Sequence, residues 1–406
     1  MSKTQNYEQL GPGLTHQKYR IEESSKISWK HSVTSFMILL KQKIGGDTFI
    51  RPSVLVAIFY SLYVLGQLSI QKYDPKSFIF IGTYFQNNDP HGSIGYDGQF
   101  YYYIAQHLFN TPLYMLDIPS LRSQRILYPL LIRIFSLGQV NLMPWVMIFL
   151  NVGAIIVGTE VLDRLLRHYG FNPWYSLVYG LFIGQLWSVR RDLTEPLVYM
   201  FVLLAVYSYA RKSPFLSIIF FNLALFSKET SMFFLASYIG NLLIHRKVKS
   251  GITFAILSLV PYALFQLFLM LIFGNSGFMR SSSLSFQIIP FSGLYSNIVR
   301  AYRILLPELL NIVLMIIIPA SLSFILAFRK LFKKEFNPAV FHLLLNALFI
   351  IFLYKYSFTD IINYGRHTTT LITSFIVFGV TTQNRQLLNF SLLWILPFIT
   401  YFTYGG

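Results

Sequence analysis

The chain has 406 residues, 54% hydrophobic, 17% aromatic and only 12% charged, where an ordinary soluble domain carries about 25% charged residues. That balance excludes the soluble classes. The net charge of +17 does not indicate a nucleic-acid partner, because the basic residues lie in short loops between apolar runs, where anionic lipid and the positive-inside rule act. With no cysteine, disulfides and thiolate metal sites are excluded as well.

In chain order, residues 1–50 are mostly polar and read as a cytoplasmic tail, with 29–43 as a basic amphipathic helix on the inner surface. The apolar stretch "SVTSFMILL" within it is too short to span. A first span is predicted at 52–70. Residues 71–140 then form one long outer loop, in which "RILYPLLIRIFSLG" (125–138) lies along the outer interface. Later spans are predicted near 141–162, 173–189, 195–210, 214–227, 230–244, 252–273, 304–328, 338–356, 367–381 and 387–403, of which 214–227 and 367–381 are marginal in length. The basic loops at 163–170, 210–214, 245–250, 329–336 and 382–386 share one side if the amino terminus is inside. The expectation is an all-α polytopic membrane protein, with about eleven transmembrane helices over 51–406, a large first extracytoplasmic loop carrying interfacial helices, and the carboxyl terminus outside.

This arrangement puts Asp74, Asp89, Asp97, Asp117, Asp192, Glu195, Glu229, Glu308 and Asp360 outside or at outer span ends. Arg190, Arg191, Lys228, Arg300, Arg303, Lys355 and Arg366 accompany them, although outer loops normally carry few basic residues. The outer face is therefore the expected working face.

Four outer stretches could carry chemistry. In "GYDGQFYYYIAQHLF" (95–109), Asp97 lies between glycines, ahead of an aromatic helical run. It reads either as a helix cap over interfacial tyrosines Tyr101 to Tyr103 or as an exposed acid serving catalysis. "SVRRDLTEP" (188–196) gathers Arg190, Arg191, Asp192 and Glu195, which could pair among themselves as interface charges. "LFSKETS" (225–231) sets Lys228 and Glu229 between apolar runs, with Ser227 and Thr230 as the plain capping alternative. "YGRHTTT" (364–370) brings Arg366, a residue type that reads phosphate with two parallel hydrogen bonds, and His367. The metal reading is weak: Asp89, His91 and Asp97 share a loop, and oxygen ligands suit magnesium or calcium, but no HxxxH pair or closely spaced carboxylate pair occurs. No GxxxxGK[ST] loop supports nucleotide hydrolysis.

One exposed acid, several span-end cations and aromatic walls suit a reaction at the membrane edge. Arg and Lys would hold a lipid-borne phosphate, and a carboxylate would accept the proton of an attacking hydroxyl.

"GYDGQFYYYIA", "QRILYPLL", "RRDLTEPL" and "LFSKETSMFF", in this order, resemble the GT-C class of polytopic membrane glycosyltransferases over roughly residues 52–400. The resemblance is to bacterial proteins that form cell-surface glycopolymers and, more distantly, to the mannosyltransferases of lipid-anchor assembly. It implies a GT-C fold, a polyprenyl-phosphate-linked sugar donor, a glycan or lipid acceptor, inversion at the anomeric carbon, and a catalytic acid in the first outer loop matching Asp97. Many members need no metal, and no cofactor is expected here. Some relatives carry two adjacent acids in that loop, whereas Asp89 and Asp97 are not adjacent, so Asp89 is a doubtful second member.

On this reading Asp97 is the general base, and Tyr96 and Gln99 shape the acceptor site. Arg190, Arg191, Lys228 and Arg366 hold the donor phosphate. Asp192 and Glu229 orient those cations or meet sugar hydroxyls, and Glu195 stands beside them. The expected location is a bacterial plasma membrane with the active site outside. The rivals are a transporter or flippase of lipid-linked sugars, disfavoured by the lack of mid-span acids and internal repeats, and a noncatalytic envelope-assembly protein.

Overall fold

A computed structural model describes residues 51–277, 287–300 and 306–400. The tail at 1–50, its surface helix at 29–43, and Arg303 lie outside the described residues. Among those described there are helices and no strands.

Among the described residues, four helices are long and apolar enough to cross a membrane: Pro52–Ile70, Met143–His168, Val248–Phe273 and Leu309–Phe332. In Val248–Phe273 the large side chains Leu264, Leu267 and Leu271 are exposed, a continuous apolar face of the kind that lipid covers and water does not. Glu195–Ala210, Pro214–Ser227 and Pro338–Ile351 are apolar but shorter than the ~20 residues that ~30 Å of hydrocarbon requires. Their starts follow a simple rule. Proline occupies the first or second position of each, where its missing N–H costs nothing and its fixed φ suits the helix.

The segment expected as one span at 173–189 is not one helix. A turn at Pro173–Ser176 leads into Leu177–Gly180, the chain breaks at Leu181 and Phe182, and a second helix runs Ile183–Arg190. The expected 387–403 span is likewise divided, into Arg385–Ser391 and a 3-10 stretch Leu392–Thr400. The helix expected at 367–381 starts earlier and covers Ile361–Thr381, so Arg366 lies on its second turn. Its first turn is fixed by Asp360, whose carboxylate accepts from the Asn363 amide at 2.8 Å.

Residues 71–140 fold as short helices, among them Pro75–Phe78, Thr83–Asn87, Gly98–His107, Pro119–Ser123 and Leu127–Phe135. A helix as short as Leu127–Phe135 reaches only ~13 Å at 1.5 Å per residue, far less than a bilayer. Tyr101, Tyr102 and Tyr103 are buried with Phe100, Tyr128, Ile132, Met143 and Met147 in an apolar core. They are therefore interior packing, which corrects their reading as headgroup-level anchors. Arg133 closes the far end of the 98–107 helix by donating to the carbonyls of Ala105 and Gln106 at 3.0 and 2.6 Å.

The loop meets the bundle at Gly98, where an added Cβ would stand 2.3 Å from the carbonyl oxygen of Arg191. Gly98→Ala must therefore push the 98–107 helix off the 188–196 turn, at a cost of about 1–3 kcal/mol. A lowered midpoint of thermal unfolding in detergent is expected. Gly66→Ala, whose Cβ position meets nothing within 4 Å, should leave the midpoint unchanged or slightly raised.

Candidate functional site

Asp97 ends the 80–97 loop in helical conformation (φ −55°, ψ −28°), and its carboxylate makes no capping bond. The helix-cap alternative is thereby removed. Instead Oδ1 accepts from Arg122 Nη2 at 3.0 Å and Oδ2 from Arg366 Nη1 at 2.6 Å. Arg122 is shared: its Nε and Nη2 also grip Asp117 at 2.8 and 2.7 Å, and its guanidinium lies 4.5 Å from the Phe100 ring centre. Burial alone would favour the neutral acid, but the two guanidiniums outweigh it and hold Asp97 well below the usual carboxylate range. Its side chain retains 18% exposure, enough for a small group to reach it.

Two further ion pairs lie beside it, both fully enclosed. Arg125 holds Glu229 through Nε at 2.9 Å and Nη2 at 2.5 Å, and donates to the Tyr101 hydroxyl at 3.0 Å. Gln124 adds a bond to Glu229 at 3.3 Å. Lys228 Nζ pairs with Glu195, and those two side chains are 3% and 2% exposed. Burial opposes the charge on Glu229, yet Arg125 and Lys228 keep its carboxyl below the usual range. The capping alternative at 225–231 is also unrealised, because Ser227 donates back to the carbonyl of Leu223 at 2.8 Å and no side chain caps the following turn.

The turn 188–196 does not pair internally as one of the sequence readings had it. Arg190 donates to the Ser77 carbonyl at 2.9 Å, and Glu195 faces Lys228. Asp192 is fully buried, with left-handed φ of 48°, and meets Asn151 Nδ2 at 3.4 Å. Burial pushes its carboxyl well above the usual range. Its hydrogen-bond partner among the described residues is Asn151, and Arg190 is the cation that acts on its charge. Gln99 is also fully buried and is occupied in tying the loop together. It accepts from the Gly82 amide at 2.9 Å and donates to the Ile94 carbonyl at 2.7 Å, which leaves it no acceptor-shaping role. Asp89 is exposed and accepts from the His91 amide at 3.0 Å, a local turn away from Asp97's partners.

Arg190 and Arg191 line a cavity of about 720 Å³ with Lys76, Ser77, Phe80, Trp187 and Asp360. Arg191 stacks 3.1 Å from the Phe80 ring centre, and its Nε and Nη1, like Ser77 Oγ, have no hydrogen-bond partner among the described residues. Burial and the neighbouring Arg190 bring Arg191 down to about 10, so it stays cationic at neutral pH. Tyr96 joins cavity and ion pairs: its ring is 5.5 Å from the Arg191 guanidinium and 5.4 Å from that of Arg366. Its hydroxyl donates to Asn363 Oδ1 at 2.8 Å.

The site thus brings Tyr96, Asp97, Glu195, Lys228, Glu229 and Arg366 together and adds Arg122, Arg125, Asp117 and Asn363, which the sequence reading did not select. A signal for two of these was available. "DIPSLRSQR" sets two arginines three residues apart in the 71–140 segment, just after an acid, more charge than an interface segment needs. Among the described residues, no three His, Asp or Glu side chains stand together as a metal-binding group. No family model matches the chain, and neither curated proteins nor solved structures match it.

Two tests follow from the charges. Lys228→Met leaves Glu195 buried and unpaired, a loss of about 3–5 kcal/mol. It should lower the unfolding midpoint sharply, with most of the loss regained in the double variant Lys228→Met/Glu195→Leu. Asp97 and Glu229 have folded values below the ordinary carboxylate value of about 4, so their stabilisation is present above that pH and lost as pH falls through the folded values. Denaturation midpoints followed from about pH 7 to pH 3 should fall in acid, and less steeply in Asp97→Asn.

Proposed function

We propose that the chain is a membrane glycosyltransferase of GT-C type, moving a sugar from a polyprenyl-phosphate donor to a glycan or lipid acceptor at the outer face of a bacterial plasma membrane. The topology that goes with this proposal is the expected one of about eleven spans with the amino terminus inside. The observation that carries it is Asp97, a partly exposed carboxylate held between two arginines, next to a cavity lined by three further cations.

In this reading the acceptor hydroxyl attacks the anomeric carbon, and its proton passes to Asp97. The bond from that carbon to the phosphate oxygen breaks, and its electron pair leaves with the polyprenyl phosphate. Lys228, expected as a phosphate ligand, is enclosed with Glu195, so the phosphate falls to Arg190 and Arg191, with Arg366 exchanging part of its hold on Asp97 for the phosphate across the Tyr96 ring. A carboxylate held so firmly is a weak base. The donor's phosphate partly neutralises Arg366, loosens its hold on Asp97, and raises the basicity of the carboxylate when donor is present.

The test is reconstitution with a panel of polyprenyl-phosphate sugars and a crude envelope acceptor, measuring released polyprenyl phosphate. Acceptor-dependent release is expected, falling ~100-fold or more in Asp97→Asn. Arg191→Ala should chiefly raise the KM for donor. Undiminished release in Asp97→Asn would return that residue to a structural ion pair. No release from any donor, with movement of lipid-linked sugar across the bilayer instead, would make the chain a transporter.

A further inference from the structure

A second cavity, of about 460 Å³, opens between the 109–120 segment and the outer end of the Val248–Phe273 helix. Its walls include Asn110, Leu113, Asp117, Ser120, Phe273 and Asn275. The two sides are held closely: Ser120 Oγ donates to Asn275 Oδ1, and a Cβ on Gly277 would stand 2.4 Å from the Ser120 carbonyl oxygen. The volume is that of a small-molecule site.

Its chemistry differs from the first cavity's. Lys76, Arg190 and Arg191 line the first together with Asp74 and Asp360, whereas among the described lining residues of the second there is no Lys, Arg or His, and the one ionisable side chain is Asp117. An incoming phosphate would find no cation and one carboxylate, which repels it. Hydroxyl groups would find what they require, namely a carboxylate acceptor, side-chain amides able to donate and accept, and the aromatic surfaces of Phe109 and Phe273 for the apolar faces of a sugar ring. Asp117 keeps 32% side-chain exposure while bonded to Arg122, so it retains surface for a second partner. Arg122 Nη2 in turn bonds Asp97. A ligand on Asp117 therefore sits one arginine away from Asp97, on the side opposite Arg366.

We propose that this second cavity binds a neutral, hydroxylated sugar ring of the acceptor, with Asp117 as its carboxylate contact. The inference rests on the transfer reading for the word acceptor, but the binding site itself does not. Asp97 then stands between a seat for the donor phosphate that carries three cations and two carboxylates and an acceptor seat with no cation among its described lining residues, a division that favours the lipid phosphate in the first.

The experiment is ligand-observed saturation-transfer NMR on the full chain in detergent, with methyl α-glucoside, methyl α-mannoside and N-acetylglucosamine as probes at about 10 mM, suited to millimolar affinities. At least one probe should show transfer in wild type and equally in Arg191→Ala. The signal should fall severalfold in Leu113→Trp, which fills the cavity from a residue 64% exposed, and also in Asp117→Asn. No transfer from any probe, or equal transfer in wild type and Leu113→Trp, overturns the proposal. The two readings fail separately. Leu113→Trp-sensitive binding without polyprenyl phosphate release keeps the sugar site and removes the transferase. Release with an acceptor KM unchanged in Leu113→Trp keeps the transferase and removes the sugar site.

Discussion

The fold depends on one constraint: a charge enclosed by protein and lipid must meet its opposite at hydrogen-bond distance. At one end of the helices this is satisfied by four contacts, Asp97 with Arg122 and with Arg366, Arg125 with Glu229, and Lys228 with Glu195. Asp97 with Arg122 braces the 71–140 segment internally, Asp97 with Arg366 and Arg125 with Glu229 tie that segment to the bundle, and Lys228 with Glu195 joins two bundle elements. Against the 361–381 helix the segment is held by Asp97 on Arg366 and by the Tyr96 hydroxyl on Asn363, so the position of Tyr96 and Asp97 follows from where those two side chains stand. The same pairings explain why so many ionisable groups are tolerated where apolar helices begin and end.

The charges divide into groups that answer one another and groups that do not. Arg122, Arg125, Lys228 and Arg366 are matched by carboxylates. Arg190 and Arg191 make no ion pair within hydrogen-bond distance among the described residues; they are met by a backbone carbonyl and by aromatic rings, with Asp192 and Asp360 acting on them from farther off. An anion entering the 720 Å³ cavity therefore finds cations that no carboxylate directly grips. This difference, more than the number of cations, separates a binding surface from a structural one.

Much of the architecture could be read from the sequence because it is local. The apolar runs beginning at 52, 195, 214 and 338 set helix starts that the structure keeps within a residue or two, and the basic loops that follow 125–138, with its short length and two arginines, argued against a crossing there. The break at Leu181 and Phe182 was not legible, since its hydropathy is that of an unbroken span. Nor were the partners of the charges. The partners of Arg366 and Arg125 lie 269 and 104 residues away, and no neighbouring residue encodes them. Asp192 and Gln99 misled for a related reason: both types are polar and were assigned to a working surface, yet one is buried against Asn151 and the other braces its own loop.

The separation between Asp97 and Arg366 also sets a schedule for biosynthesis. A ribosome adds ~5–20 residues per second, so on the order of tens of seconds pass between synthesis of the acid and of its partner. Throughout that interval the 71–140 segment has been made but its carboxylate has no Arg366 to hold it. Until the 361–381 helix exists the segment is held to the bundle through Arg125 and Glu229, and Asp97 has Arg122 alone, so the site is the last part of this end of the molecule to close.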